Sequence, residues 1–175
     1  MARYVTSLIL IIAASVLSCD RNEPHYSDIP HIDYQSFSLY YEVDTLEQLK
    51  LSGDLLFNFT DGDGDIGLLP VSENPGTGLP DTILYNLFLQ LHDYRDNGFI
   101  KIPEDEGGFY KYRIPYLDKK PLTGSISIKI DYPTIKFDTI FYTFYLYDRA
   151  FHKSNTDSSD IIIFTGIEPD SIKSF

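Results

Sequence analysis

The residues with the clearest chemical potential stand in one short run, Asp61-Gly62-Asp63-Gly64-Asp65, where three carboxylates alternate with glycines. Hard divalent cations, Ca²⁺ above all, take several oxygen ligands at about 2.3–2.6 Å from carboxylates and backbone carbonyls. Glycine lets the backbone curl, so that alternate carboxylates can converge. The spacing therefore predicts a candidate calcium site on Asp61, Asp63 and Asp65.

The run partly resembles the aspartate-rich calcium loops of EF-hand and thrombospondin-repeat proteins. Asp61, Asp63 and Asp65 match the first three ligand positions of an EF-hand. The next position should be Gly and is Ile66, the twelfth should be Glu and is Ser72, and no flanking helices are predicted. A true EF-hand is therefore excluded, while a calcium loop of another type stays open.

Two other interpretations of the loop also stay open. If the strand ending at Thr60 and the strand over 140–147 end at the same pole of a sandwich, Asp148 and Arg149 lie near the loop. Asp148 could then add a ligating oxygen, or Arg149 could serve as a structural brace by neutralising the carboxylates through a bidentate pair. Because Asp and Gly also favour turns, the third interpretation is a plain solvated connection.

Aromatic side chains near predicted turns and strand edges are candidate ligand contacts. They could stack on sugar rings or hold a peptide, although Tyr is also a favoured strand residue and the chain has no Trp. These candidates are Tyr110, Tyr112, Tyr116 and Tyr132.

No catalytic constellation stands out in the sequence. A Gly-x-Ser-x-Gly elbow is absent, and His92 and His152 are isolated histidines of the domain body. Acidic residues are so abundant that a glycosidase pair cannot be recognised without geometry. We therefore expect a protein that is not an enzyme.

The first eighteen residues have the pattern of a secretory signal peptide. Arg3 precedes an apolar stretch that is shorter than the roughly 20 residues of a membrane-spanning helix. The stretch Val16-Leu17-Ser18-Cys19 resembles the lipobox of bacterial lipoproteins, in which the Cys becomes the acylated first residue of the mature chain. This resemblance implies lipidation of Cys19, with palmitate-like acyl chains anchoring the protein to a lipid bilayer. Residues 19–33, with two prolines and no apolar periodicity, are predicted to form a flexible tether.

Length and composition limit the remaining possibilities. The chain has 175 residues and a net charge of −12, which argues against a nucleic-acid partner because phosphate recognition needs basic side chains. A single Cys excludes an intrachain disulfide framework and a zinc site built on several thiolates.

From Tyr34 onward, apolar residues recur with period two, which is typical of strands. Ile126, Ile128 and Ile130, for example, alternate with polar residues, and the run 140–147 is apolar on both faces, as in a central strand. Seven or eight strands in about 130 residues, the last of them over 161–165, predict an all-β, antiparallel immunoglobulin-like β-sandwich over 34–168, followed by a tail over 169–175. A small β-barrel is the alternative fold. Its core is predicted to contain Leu55, Phe57, Phe59, Ile126, Ile128, Ile130, Phe144 and Leu146.

The lipobox, the segment Phe59–Gly67 and the later Asp148-Arg149-Ala150 with Ser154-Asn155 together resemble a group of small Gram-negative lipoproteins with Ig-like domains. The resemblance implies a lipid-anchored envelope location, at the outer membrane, and implies no activity. Two functions follow as hypotheses: a binding or accessory module, calcium-stabilised and serving an envelope protein complex, or a purely structural domain. A large exposed aromatic patch favours the first, and a fully polar surface favours the second.

Four short segments resemble the acceptor of a periplasmic O-glycosylation system, although Asp-Thr is also a common start of a strand. Their hydroxyl residues are Thr45, Thr82, Thr139 and Ser171.

Overall fold

The computed structural model describes residues 26–44, 46–69, 84–117 and 123–165. The predicted signal peptide, Cys19, Thr45, Thr82 and Ser171 lie outside these ranges. The described chain confirms the predicted antiparallel β-sandwich and contains nine strands, one or two more than predicted. They are β1 His31–Val43, β2 Leu49–Thr60, β3 Leu87–Arg95, β4 Gly98–Lys101, β5 Phe109–Tyr112, β6 Thr123–Tyr132, β7 Thr139–Leu146, β8 Asp157–Ser158 and β9 Ile162–Ile163.

The first sheet has the order β1-β2-β6, with β1 and β6 flanking β2 in antiparallel register. Its strands are long because alternating sequences continue for ten residues or more. The register of β1 shifts between Tyr34 and Ser36, where one extra residue forms an irregularity. Before the shift the even-numbered residues face the core, and after it the odd-numbered residues do. Tyr34 and Phe37 therefore both pack against the core.

The second sheet is built around β3 and β7, which pair along most of their lengths. The short strands β4 and β5 lie one after the other along the free side of β3, and β8 and β9 do the same along β7. The run predicted as a central strand is therefore central, as β7. A single 3₁₀ turn, Glu104–Glu106, connects β4 to β5.

The core forms where the inward rows of the two sheets meet. Phe57 of β2 and Phe144 of β7 approach with ring centroids 5.2 Å apart, and both are fully buried. Aromatic pairs of this kind stabilise beyond the area that they bury. Of the predicted core, Ile126 and Ile128 are only partly buried, and the other predicted residues are buried.

Two predicted boundaries need correction. The tether predicted over 19–33 is too long, because His31 already pairs with Thr60 in the first sheet. Side chains from the connection after β7 and from β8 stabilise this early start: Asn155 Oδ1 accepts the Ile32 N–H at 2.8 Å, and Asp157 Oδ2 accepts the Tyr34 N–H at 2.6 Å. The last strand, predicted over 161–165, is the two-residue β9.

Within the described ranges, no helix has the length and apolar character needed to cross a membrane.

Candidate functional site

The loop over 61–67, which follows β2, packs at one pole of the sandwich against the segment that precedes β1. The Gly62 N–H donates to the Ser27 carbonyl at 2.8 Å. A Cβ atom at Gly62 would lie 2.4 Å from the Tyr26 carbonyl oxygen, so a larger residue would force the backbones apart. Glycine is therefore required here by close backbone approach, and not only by turn geometry.

Asp61 is the buried member of the acidic run. Its side chain is 0% exposed, and its Oδ2 accepts the backbone N–H groups of Asp65 at 2.7 Å and Ile66 at 3.2 Å. Its Oδ1 is buried and has no hydrogen-bond partner among the described residues. Burial, opposed by the Asp65 N–H and reinforced by nearby carboxylates, raises the pKa of Asp61 to about 6.

The three predicted carboxylates do converge. One oxygen from each of Asp61, Asp63 and Asp65 lies within 4.8 Å of the others, with Asp63 exposed and Asp65 half-buried. Burial first, and then the charges of Asp148 and Asp63, raise the pKa of Asp65. The cluster therefore concentrates negative charge at a site that is open on one side.

Asp148 lies close enough for its charge to act on the cluster, and both of its oxygens are bonded to His152. Its Oδ1 accepts the His152 N–H at 2.7 Å, and its Oδ2 lies 2.9 Å from His152 Nδ1. Asp148 is 1% exposed, and its charge raises the pKa of His152. Asp148 was predicted as a further ligand, but it is not among the carboxylates that converge within 4.8 Å, and His152 occupies both of its oxygens.

Arg149 contacts the acidic loop without pairing to its carboxylates. Its Nη1 donates to the Gly67 carbonyl at 2.8 Å, and its guanidinium carbon lies 5.1 Å from the ring centroid of Tyr116. Its backbone N–H lies 3.4 Å from Asp65 Oδ1. Among the described residues the guanidinium forms no ion pair, so the predicted bidentate arrangement is not formed and Arg149 holds the loop through a carbonyl.

The four predicted tyrosines do not form one surface. Tyr110 and Tyr132 line a cavity of about 410 Å³ at the pole opposite the acidic loop. The Tyr132 hydroxyl lies 3.1 Å from that of Tyr142, which is fully buried. Tyr112 packs inward against the core, and Tyr116 lies under Arg149 at the acidic pole.

The outer face of the second sheet carries a set of aromatic rings that the sequence predictions did not single out. Phe88, 4% exposed, stacks between Phe109 at 5.9 Å and Tyr145 at 5.5 Å. Toward β4 the rings become exposed, reaching 48% for Tyr94 and 36% for Phe99. We call this surface the aromatic face; it consists of Phe88, Tyr94, Phe99, Phe109, Phe141, Tyr145 and Tyr147.

The outer face of the first sheet is largely polar; its outward rows also include Leu56 and Tyr40, whose hydroxyl donates to Asp54 Oδ1 at 3.0 Å. At its centre Glu42, 6% exposed, pairs with Lys129 and with Lys50 at 3.0 Å, and accepts the Ser52 hydroxyl at 3.0 Å. Lys129, with help from Lys50 and Ser52 and against the effect of burial, lowers the pKa of Glu42 to about 2. We call this surface the polar face; it consists of Ser38, Glu42, Lys50, Ser52, Asp54, Asn58, Ser125, Ser127, Lys129 and Asp131.

Comparisons with protein-family models, with curated proteins and with solved structures found no match to the chain. What the protein does must therefore be inferred from its own surfaces and charged groups.

The sequence did contain a signal for the aromatic face. In β3 and β7 several outward-facing positions are aromatic. Examples are Phe88 and Tyr94 in β3, and Phe141 and Tyr145 in β7. The Asp148–His152 pair had the weaker signal of an i, i+4 spacing. Neither pattern identifies a ligand without the three-dimensional arrangement.

Proposed function

We propose that this protein is a lipid-anchored, non-enzymatic binding module of the cell envelope that docks a protein partner through the aromatic face. The observation that carries the proposal is the contrast between the outer faces of the two sheets. Soluble domains rarely leave large contiguous apolar surfaces open, and such surfaces mark interaction sites. Aromatic residues are also enriched at the centres of protein interfaces.

The arrangement of the rings favours a protein partner over a glycan. A sugar ring stacks on an open aromatic face, but both neighbours of Phe88 cover its ring, and His92 stacks on Phe141 at 4.5 Å. The exposed rings, Tyr94 and Phe99, meet edge to face at 5.1 Å. Rigid rings with one side packed and one side exposed resemble the anchor residues that dominate binding energy at protein interfaces.

Basic side chains lie around the aromatic face although the chain as a whole is strongly acidic. Lys153 Nζ lies 3.8 Å from the ring centroid of Tyr145, and Lys111 pairs with Glu104 at 2.7 Å beside Phe109. Lys101 lies opposite His92 in the β3–β4 pair. Because Glu104 neutralises Lys111, Lys153 and Lys101 are the basic groups that favour a partner with acidic side chains beside an apolar centre.

The anchor belongs to the same proposal and rests on the lipobox at Cys19. Acylation would place the domain at the outer membrane, within reach of an envelope complex. We expect the wild-type protein to partition into the detergent phase and Cys19→Ser to remain soluble or uncleaved. Wild-type membrane retention of a processed Cys19→Ser protein would contradict the anchor.

In-cell crosslinking tests the docking face directly. The wild-type protein should crosslink reproducibly to one envelope protein, and the double variant Tyr94→Ser/Phe99→Ser should lose that product. The matched control is Val43→Ser/Leu46→Ser, which removes two exposed apolar side chains away from the aromatic face and should retain the product.

Three outcomes would overturn the proposal. They are equal crosslinking by the double variant and the wild type, loss of the product in the control variant, or binding of an envelope polysaccharide in place of a protein.

A further inference from the structure

We propose that Asp61, Asp63 and Asp65 form a binding site for one hard divalent cation of the calcium class, separate from the aromatic face. The inference does not rest on the acidic cluster alone. Its decisive observation is Asp61 Oδ1, a buried carboxylate oxygen with no hydrogen-bond partner among the described residues.

An unpartnered oxygen at this position is energetically unusual. Buried polar atoms are nearly always hydrogen-bonded, because leaving one unsatisfied forfeits its interaction with water. The other oxygen of Asp61 already accepts two backbone N–H groups, which fix the orientation of the carboxylate. Oδ1 is therefore held in a fixed position, as a preorganised ligand must be.

The distances between the carboxylates suit such a cation. Calcium–oxygen distances of about 2.3–2.6 Å allow two ligands of one ion to lie at most about 5 Å apart. The three loop carboxylates each supply an oxygen within 4.8 Å of the others. Asp63 is exposed, so water can complete the coordination from the open side.

The neighbouring basic groups do not take the place of the ion. Arg149 donates to the Gly67 carbonyl and lies over Tyr116, and the ring of His152 is bonded to Asp148. Asp148 adds negative charge beside the site, since the backbone N–H of the next residue, Arg149, lies 3.4 Å from Asp65 Oδ1. The nearby charge therefore favours a cation over any anionic or neutral ligand.

The donor set selects the class of ion. All three side chains offer carboxylate oxygens, which suit calcium and magnesium, whereas zinc and copper sites use His or Cys ligands. Gly64 adopts a left-handed φ of 65° and permits the loop to curve around the carboxylates. Calcium is preferred because it accepts irregular coordination, while magnesium requires near-ideal octahedral geometry.

Calorimetric titration of the full-length protein in detergent, after chelator treatment, tests the site with CaCl₂ and MgCl₂ as probes. We expect one calcium per chain, weaker binding of magnesium, and a melting midpoint that rises by several degrees at a hundredfold excess of calcium over Kd. Asp63→Asn should weaken calcium binding at least tenfold, and Asp61→Asn should abolish it.

The controls separate this site from general acidity and from the docking face. Asp105→Asn, in the exposed 3₁₀ turn, should bind calcium like the wild type, and Asp63→Asn should keep the crosslinked product of the aromatic face. Because Asp63 is exposed, its variant remains informative even if Asp61→Asn fails to fold. Three results would each overturn the assignment. They are the absence of a binding signal at millimolar calcium, wild-type calcium affinity in Asp63→Asn, and tighter binding of magnesium than of calcium.

Discussion

The two sheets share one apolar core but present different outer faces. On the polar face, hydroxyl and charged side chains surround the paired Glu42, whereas on the aromatic face rings pack against one another up to the exposed Tyr94 and Phe99. Burial in the core requires only the inward rows to be apolar, so each outer row is free to follow another constraint. The fold therefore accounts for the apolar inward rows of both sheets, but it does not account for the aromatic residues on the outer face of the second sheet.

The largest effect is expected from truncating a side chain at the centre of the aromatic face. Phe88→Ala should cost about 3 kcal/mol of unfolding free energy, as for a core Phe, because its ring is almost completely buried by its neighbours. Leu56→Ala, at a half-buried outward position of the first sheet, should cost about 1 kcal/mol. Urea unfolding of both variants measures the difference. A smaller loss for Phe88→Ala than for Leu56→Ala would show that the aromatic face contributes little to stability.

An intermediate effect is expected at the centre of the polar face. Glu42→Gln should destabilise by about 1.5 kcal/mol at pH 7, because it weakens charge-assisted hydrogen bonds to Lys129 and Lys50. A carboxylate with a lowered pKa stabilises the fold above its unfolded pKa, and that contribution is lost as the pH falls toward the folded pKa. For Glu42 this loss occurs as the pH falls from 4.5, the ordinary pKa, to about 2, the pKa in the folded protein.

Unfolding free energies measured between pH 4.5 and about pH 2 test whether the contribution of Glu42 to stability falls with acidity. The difference between wild type and Glu42→Gln should narrow steadily as the pH falls. A gap that is constant, or that widens with acidity, would mean that Glu42 is not held ionised by the two lysines.

The smallest expected effect concerns the rim of the aromatic face. Lys153→Gln removes the ammonium above Tyr145 and should cost about 0.5 kcal/mol, whereas Lys153→Arg should retain the stability. Lys136→Gln, at an exposed position between β6 and β7, should leave the melting midpoint unchanged and serves as the control. Equal melting midpoints for Lys153→Gln and Lys136→Gln would show that the cation–π contact between Lys153 and Tyr145 does not stabilise the fold.

The fold was largely predictable because its information is local. Period-two alternation located the first sheet, since side chains of a strand point to opposite faces in turn, and a run that is apolar on both faces located the central strand β7. The early start of β1 was not predictable, because it depends on hydrogen bonds from Asn155 and Asp157, more than 120 residues away in the chain.

The candidate site was predictable only in part. The three loop aspartates converge as their spacing predicted, because alternate residues in a glycine-rich turn share one side. The binding of Arg149 to a carbonyl in place of a carboxylate, and the pairing of Asp148 with His152, depend on the geometry of the connection after β7. The unpartnered oxygen of Asp61 is likewise a property of packing, which no motif encodes.

The hydrogen bond between Gly62 and the Ser27 carbonyl also sets the reach of the domain from the membrane. Six residues lie between Cys19 and Tyr26, and a fully extended chain over these seven residue-to-residue steps spans at most about 25 Å. If Cys19 is acylated, as proposed, the acidic pole is held within this distance of the lipid headgroups. A membrane-bound partner of the proposed docking face would then be met by two-dimensional diffusion.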